Sequence, residues 1–216
     1  MKAVRPVYMQ DYAPGFSMFT TYSGNVLSEG ISWLEHIQEA VVFIQRLAIN
    51  AEKFSDSALG KPASHVLMVV DEYTGIESSD KGVEFCELAK FFDNPRVQVV
   101  CREPQGLDEQ AVRQMLDYAI KLEGKEQPYD YTGLLGALIR FISPVNKLLP
   151  MFNRLPNPLS IGGLYCSAFD ADCKKHTDRY SSTDIFKKYH VTRIDPVLWW
   201  YLFPWKPLRF DKKREA

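Results

Sequence analysis

The segment His65-Val66-Leu67-Met68-Val69-Val70 constrains the fold more than any other stretch of the chain. It is short, β-branched and almost wholly apolar, the pattern of a strand covered on both faces, so layers of structure must lie on either side of it. Asp71 to Gly75 makes a turn into a second strand around Ile76 to Ser78, and the two strands form a hairpin. Arg96 to Cys101 alternates as a further strand. Ser17 to Tyr22, rich in β-formers and closed by Gly24, is another. Glu84 to Phe92 reads as a short helix ended by Asn94 and Pro95.

Between and after these strands the apolar spacing turns helical. Leu27, Ile31, Leu34, Val41, Ile44 and Ala48 place a long amphipathic helix over Val26 to Asn50, and Ser55, Ser57, Gly60 and Pro62 mark the loop that follows. Asp108 opens a second helix that runs through Val112, Met115, Ala119 and Leu122 to Gly124 as its C-cap. Leu134 to Phe141 is an apolar segment stopped by Pro144, and Asn146 to Gly163 is an irregular crossing loop. A last helix starts near Cys166 and reaches about His176. The class is α+β, with a central, largely antiparallel sheet packed against helices. At 216 residues and 46% hydrophobic the chain can bury one substantial core, so residues 1–216 form a single domain.

Composition excludes several functions. Lys and Arg number 26 against 27 Asp and Glu, leaving no basic field to draw the chain onto nucleic acid. Pro6, Gln10 and Asp11 interrupt the N-terminal stretch, so no Sec-type signal is expected. No run reaches the ~18 apolar residues of a spanning helix, and the expected product is soluble and cytoplasmic as made. Cys86, Cys101, Cys166 and Cys173 have neither CxxC spacing nor the density of a stapled secreted domain, and read as free thiols. His36, His176 and His190 share no ligand-like spacing with a cysteine or carboxylate pair, so neither a metal nor another cofactor is expected.

Cysteine hydrolysis needs a thiolate, a base that takes and returns its proton, and a polar group that holds the base's other ring nitrogen. Cys166 follows Gly162-Gly163-Leu164-Tyr165 at a helix start, where unpaired N–H groups and the helix dipole favour a thiolate and can donate to an oxyanion. His65 opens the most apolar strand, and Glu77 lies across the hairpin within reach of its imidazole. Glu72 is the rival for that third role, but it falls in the turn. Each residue alone also fits a packing role, and it is their combination that points to a site.

Ser64-His65-Val66 with its apolar strand, the hairpin strand Ile76-Glu77-Ser78, Pro128-Tyr129-Asp130-Tyr131 and Tyr165-Cys166-Ser167 together resemble the permuted NlpC-type papain-like hydrolases. That family includes bacterial permuted amidase-like proteins and the lecithin:retinol acyltransferase relatives, with a His-bearing strand preceding the Cys-bearing helix. The resemblance runs from about Gly15 to Asp184 and leaves 185–216 as an aromatic and basic C-terminal extension. It implies a circularly permuted papain-like fold with Cys166 as nucleophile, His65 as base and Glu77 as orienting group. Tyr22, Tyr165 and Ser167 are the candidate oxyanion and substrate-binding residues. The chain departs from the family in carrying Ala168, where an acidic residue often follows the Cys-Ser pair.

The resemblance implies a cysteine amidase or peptidase acting on peptidoglycan stem peptides. Without a signal, such an enzyme would reach the wall as a phage product or through a specialised secretion apparatus, as an antibacterial effector with an immunity protein as partner. The alternatives are a lipid thioesterase or acyltransferase and a non-catalytic interaction module. The lipid alternative draws on the aromatic run Pro196 to Trp205, which suits a boundary with one wet side, such as a membrane surface or a partner, and also suits packing over the sheet or lining the substrate groove.

Overall fold

The structure is a computed structural model that describes residues 12–22, 63, 65–94, 97–123, 125, 129–133, 153–160 and 162–207. The helix expected over Val26 to Asn50 and the apolar segment Leu134 to Phe141 lie outside the described residues. Five strands, β1 (Ser17–Tyr22), β2 (His65–Val69), β3 (Thr74–Ser79), β4 (Gly82–Glu87) and β5 (Val97–Arg102), form one sheet in the order β4-β3-β2-β1-β5. Every pairing is antiparallel. Alternate residues of β2 face opposite layers, and all five are buried, as its unbroken apolar run requires.

Helix α1 (Ala89–Phe92) follows β4, α2 (Glu109–Leu122) follows β5, and α3 (Cys166–Lys175), α4 (Asp184–Lys188) and α5 (Pro196–Leu202) complete the described fold. One face of the sheet presents Met68, Ile76 and Val83 to Met115 and Ala119 of α2 and to Phe169 and Cys173 of α3. The other face gathers Met18, Leu67 and Val69 with Leu88 and Phe91 around α1. The expected Asp108 start is an N-cap whose side chain accepts from the Ala111 N–H, which satisfies one of the donors a helix start leaves open. The far end of α2 closes on Glu123.

The helix expected over Glu84 to Phe92 is a correction. Residues 82–87 are a strand, and only 89–92 are helical. Ser79 pairs with Gly82 across a tight turn in which Gly82 takes φ 101, and the Lys81 N–H donates to the Ser79 hydroxyl. That turn sends the chain back along β3, and the helical spacing of Leu88 and Phe91 applies only after the strand ends. The aromatic run near the C-terminus packs inward. Trp199, Trp200, Phe203 and Trp205 are buried, with ring centroids 4.3 Å apart for Trp199 and Phe203 and 4.9 Å for Phe19 and Trp200. Residues 204–206 run beside 103–105, where Gln105 N–H donates to Pro204 O and Lys206 N–H to Glu103 O. Tyr201 and Leu202 remain exposed. Among the described residues no helix is long and apolar enough to cross a membrane.

Candidate active site

The hairpin register brings His65 and Glu77 together. Met68 faces Ile76 and Val69 faces Gly75, so Glu77 lies across from Leu67 and diagonally from His65 on one face. Side chains so placed are within reach of long groups. Glu77 Oε2 lies 2.6 Å from His65 Nε2, and both residues are buried. The other carboxylate oxygen, Oε1, accepts from Lys90 Nζ of α1. Phe91, the next residue of α1, stacks on the imidazole at 6.1 Å between centroids. Glu72 is instead an exposed turn residue whose carbonyl accepts from the Tyr12 hydroxyl.

With Nε2 committed to Glu77, Nδ1 is the nitrogen left for chemistry. It is buried without a hydrogen bond of regular geometry, and the side chain whose charge and hydrogen bonding the ring feels beyond Glu77 is Cys166. Cys166 is the first residue of α3 and has no exposed surface. Two hydroxyls fix the chain on either side of it. Ser78, next to Glu77 on β3 but on the opposite face, donates to the Leu164 carbonyl, and Ser167 donates to the Ile194 carbonyl at 2.8 Å. Gly162, at φ 93, supplies the left-handed turn into this segment. No side chain caps the start of α3.

The expected Tyr165 is the buried N-cap residue of α3. Ser167 is equally buried, and its hydroxyl is engaged by Ile194. Tyr22 belongs to β1, but its side chain lies outside the described residues. Sequence reasoning missed Tyr129 as a site residue. Its buried hydroxyl donates toward Cys166 Sγ at 4.0 Å. The adjacent Asp130 caps the helical turn at 131–133, accepting from the Gly133 N–H at 2.6 Å and the Thr132 hydroxyl at 3.0 Å. The one local sequence signal for it is the Tyr129-Asp130-Tyr131 triplet. Among the described residues no group of three or more His, Cys, Asp and Glu side chains is placed to hold a metal ion.

Burial pushes Cys86 and Cys101 up to about 12, and Cys173 well above the ordinary thiol value. At His65, burial opposes the charged ring, but the Cys166 and Glu77 side chains together outweigh it and raise the imidazole from 6.5 to about 10. Burial likewise opposes ionised Glu77, yet His65 and then Lys90 lower it from 4.5 to about 2. The His65 ring is thus held in its charged form against the ionised Glu77 carboxylate.

These shifts give stability a defined pH window. A raised histidine stabilises fully below 6.5 and loses that contribution as pH rises through about 10. A lowered carboxylate stabilises fully above 4.5 and loses it as pH falls through about 2. The advantage of the native protein over a Glu77→Gln variant is therefore expected to be greatest between pH 4.5 and 6.5 and to shrink on both sides. Urea midpoints across pH check this, and a difference that is flat in pH would contradict it. Comparison of the chain with protein-family models, with curated proteins and with solved structures returned no match.

Proposed function

We propose that the protein is a cysteine hydrolase that cleaves an amide bond through an acyl-enzyme, with peptidoglycan stem peptides as substrate. The observation that carries the reading is the buried His65 ring, fixed by Glu77 at one nitrogen and sensing Cys166 with the rest of the ring. A nucleophile and base whose base is oriented by a third group is the arrangement acyl transfer needs. The substrate class rests on the resemblance to permuted NlpC-type hydrolases, as do the wider expectations of a phage product or exported effector and of an immunity partner.

In this mechanism the Cys166 thiolate adds to the carbonyl carbon, forming a C–S bond and moving charge to the oxygen. The Cys166 N–H and the Tyr129 hydroxyl are the donors beside that charge. His65 gives its Nδ1 proton to the amine as the C–N bond breaks, leaving a thioester. Water then attacks the thioester while His65 takes its proton. The C–S bond breaks, the acid departs, and the thiolate and imidazolium are restored. Because Sγ is fully covered, a neighbouring group must move aside for substrate to reach it.

The test sets purified peptidoglycan against phospholipid vesicles, each with the native protein and a Cys166→Ala control. Soluble stem-peptide fragments with new termini, seen by mass spectrometry only with the native protein and with lipid left intact, support the reading. Intact peptidoglycan beside released fatty acid would replace it with the lipid alternative, and no product from either would leave it without a substrate class.

A further inference from the structure

We propose that Lys90 is a positioning residue for the Cys166–His65 pair, holding the outer oxygen of Glu77 so that the inner oxygen stays on His65 Nε2. This inference rests on the cysteine-hydrolase reading and deepens it. The two oxygens of Glu77 are divided between two cations, His65 on Oε2 at 2.6 Å and Lys90 on Oε1. A carboxylate engaged at one oxygen only can rotate about its last bond, and engagement at both removes that freedom.

The geometry around Lys90 serves the same end. Its side chain is 46% exposed while that of Glu77 is 5% exposed, so Lys90 connects a buried row of charges to solvent. A lysine so exposed ordinarily samples many rotamers at little cost. Here Nζ lies 4.8 Å from the Phe91 ring centroid as well as on Glu77, and Phe91 itself stacks on His65 at 24° between ring planes. Successive residues of α1 therefore reach two parts of one assembly, Lys90 the carboxylate and Phe91 the imidazole. The charged and titratable groups facing it are Cys166 from α3, Glu77 from β3, and Glu84 and Cys86 from β4.

The experiment uses the full chain with Lys90→Met and Lys90→Arg, after urea midpoints confirm that both fold. Its first readout is the proton NMR signal of His65 Nε2–H, a downfield resonance expected from a short bond to a carboxylate. Its second is the rate at which iodoacetamide alkylates Cys166 at neutral pH. Lys90→Met is expected to broaden or remove the resonance and to slow alkylation by about ten-fold, and Lys90→Arg to restore both. Retention of the resonance and the rate in Lys90→Met would overturn the inference. If native Cys166 reacts no faster than Cys86 while the resonance still depends on Lys90, the hydrolase reading falls and the clamp stands as structure alone.

Discussion

On the proposed hydrolase reading, a Cys166→Ala variant is expected to fold and to lose turnover of peptidoglycan by about ten-thousand-fold or more, because Cys166 is the group assigned to form the acyl-enzyme. His65→Gln should fall nearly as far, since the sulfur would keep neither its proton acceptor nor the cation beside it. Combining the two should cost little beyond Cys166→Ala alone, as residues that act on one bond do not contribute additively. Cys166→Ala also carries an electrostatic signature. Cys166 is the first of the groups that raise His65 against its burial, so without it the imidazole should titrate well below about 10. Fragment release measured beside the His65 NMR titration checks both halves. Full activity in Cys166→Ala would remove the enzyme reading, and an unmoved His65 titration would mean that the sulfur and the ring do not communicate.

The parts of this site legible in the sequence are those that one strand period or one helix start encodes. Alternation along β2 and β3, with a short turn between them, is enough to put His65 and Glu77 on one face, and two glycines before Cys166 announce the start of α3. Lys90 and Tyr129 were not legible, because nothing local distinguishes them from a solvated lysine and a core aromatic. Their positions come from where α1 and the 129–133 segment dock. The region 82–92 joins two periods, alternation through Val83 and helical spacing at Leu88 and Phe91, and reading it with one period made the strand β4 into helix. Over residues 185–207 the expected aromatic and basic extension packs against α3, where Trp199 Nε1 donates to Asp170 Oδ2 at 2.6 Å. Nothing local marks Asp170 and Lys174, four apart on α3, as interior, and only the layers packed around that helix bury them.

That interior pair carries the largest stability effect expected of the fold. Asp170, Lys174, Ser17 and Trp199 are all fully buried. Lys174 Nζ donates to Asp170 Oδ1 and to Ser17 Oγ, each at 2.7 Å, and Asp170 Oδ2 accepts from Ser17 Oγ and Trp199 Nε1, each at 2.6 Å. Removing one member strands the other charge where water cannot reach it, at about 3–5 kcal/mol. The two removals are not equivalent. In Lys174→Met the Asp170 carboxylate keeps the Ser17 and Trp199 donors, which places the loss near the lower end of that range. In Asp170→Ala the ammonium keeps, among the described residues, the Ser17 hydroxyl and the faces of Trp199 and Trp205, at 5.9 and 5.7 Å, which places it near the upper end. The double variant Asp170→Ala with Lys174→Met buries no charge, so it should be less destabilised than the two losses added together. Urea denaturation of the three variants decides this. Additive losses would mean that the pair does not act as a unit, and an Asp170→Ala protein within about 1 kcal/mol of native would mean that water or a rearranged side chain reaches Lys174.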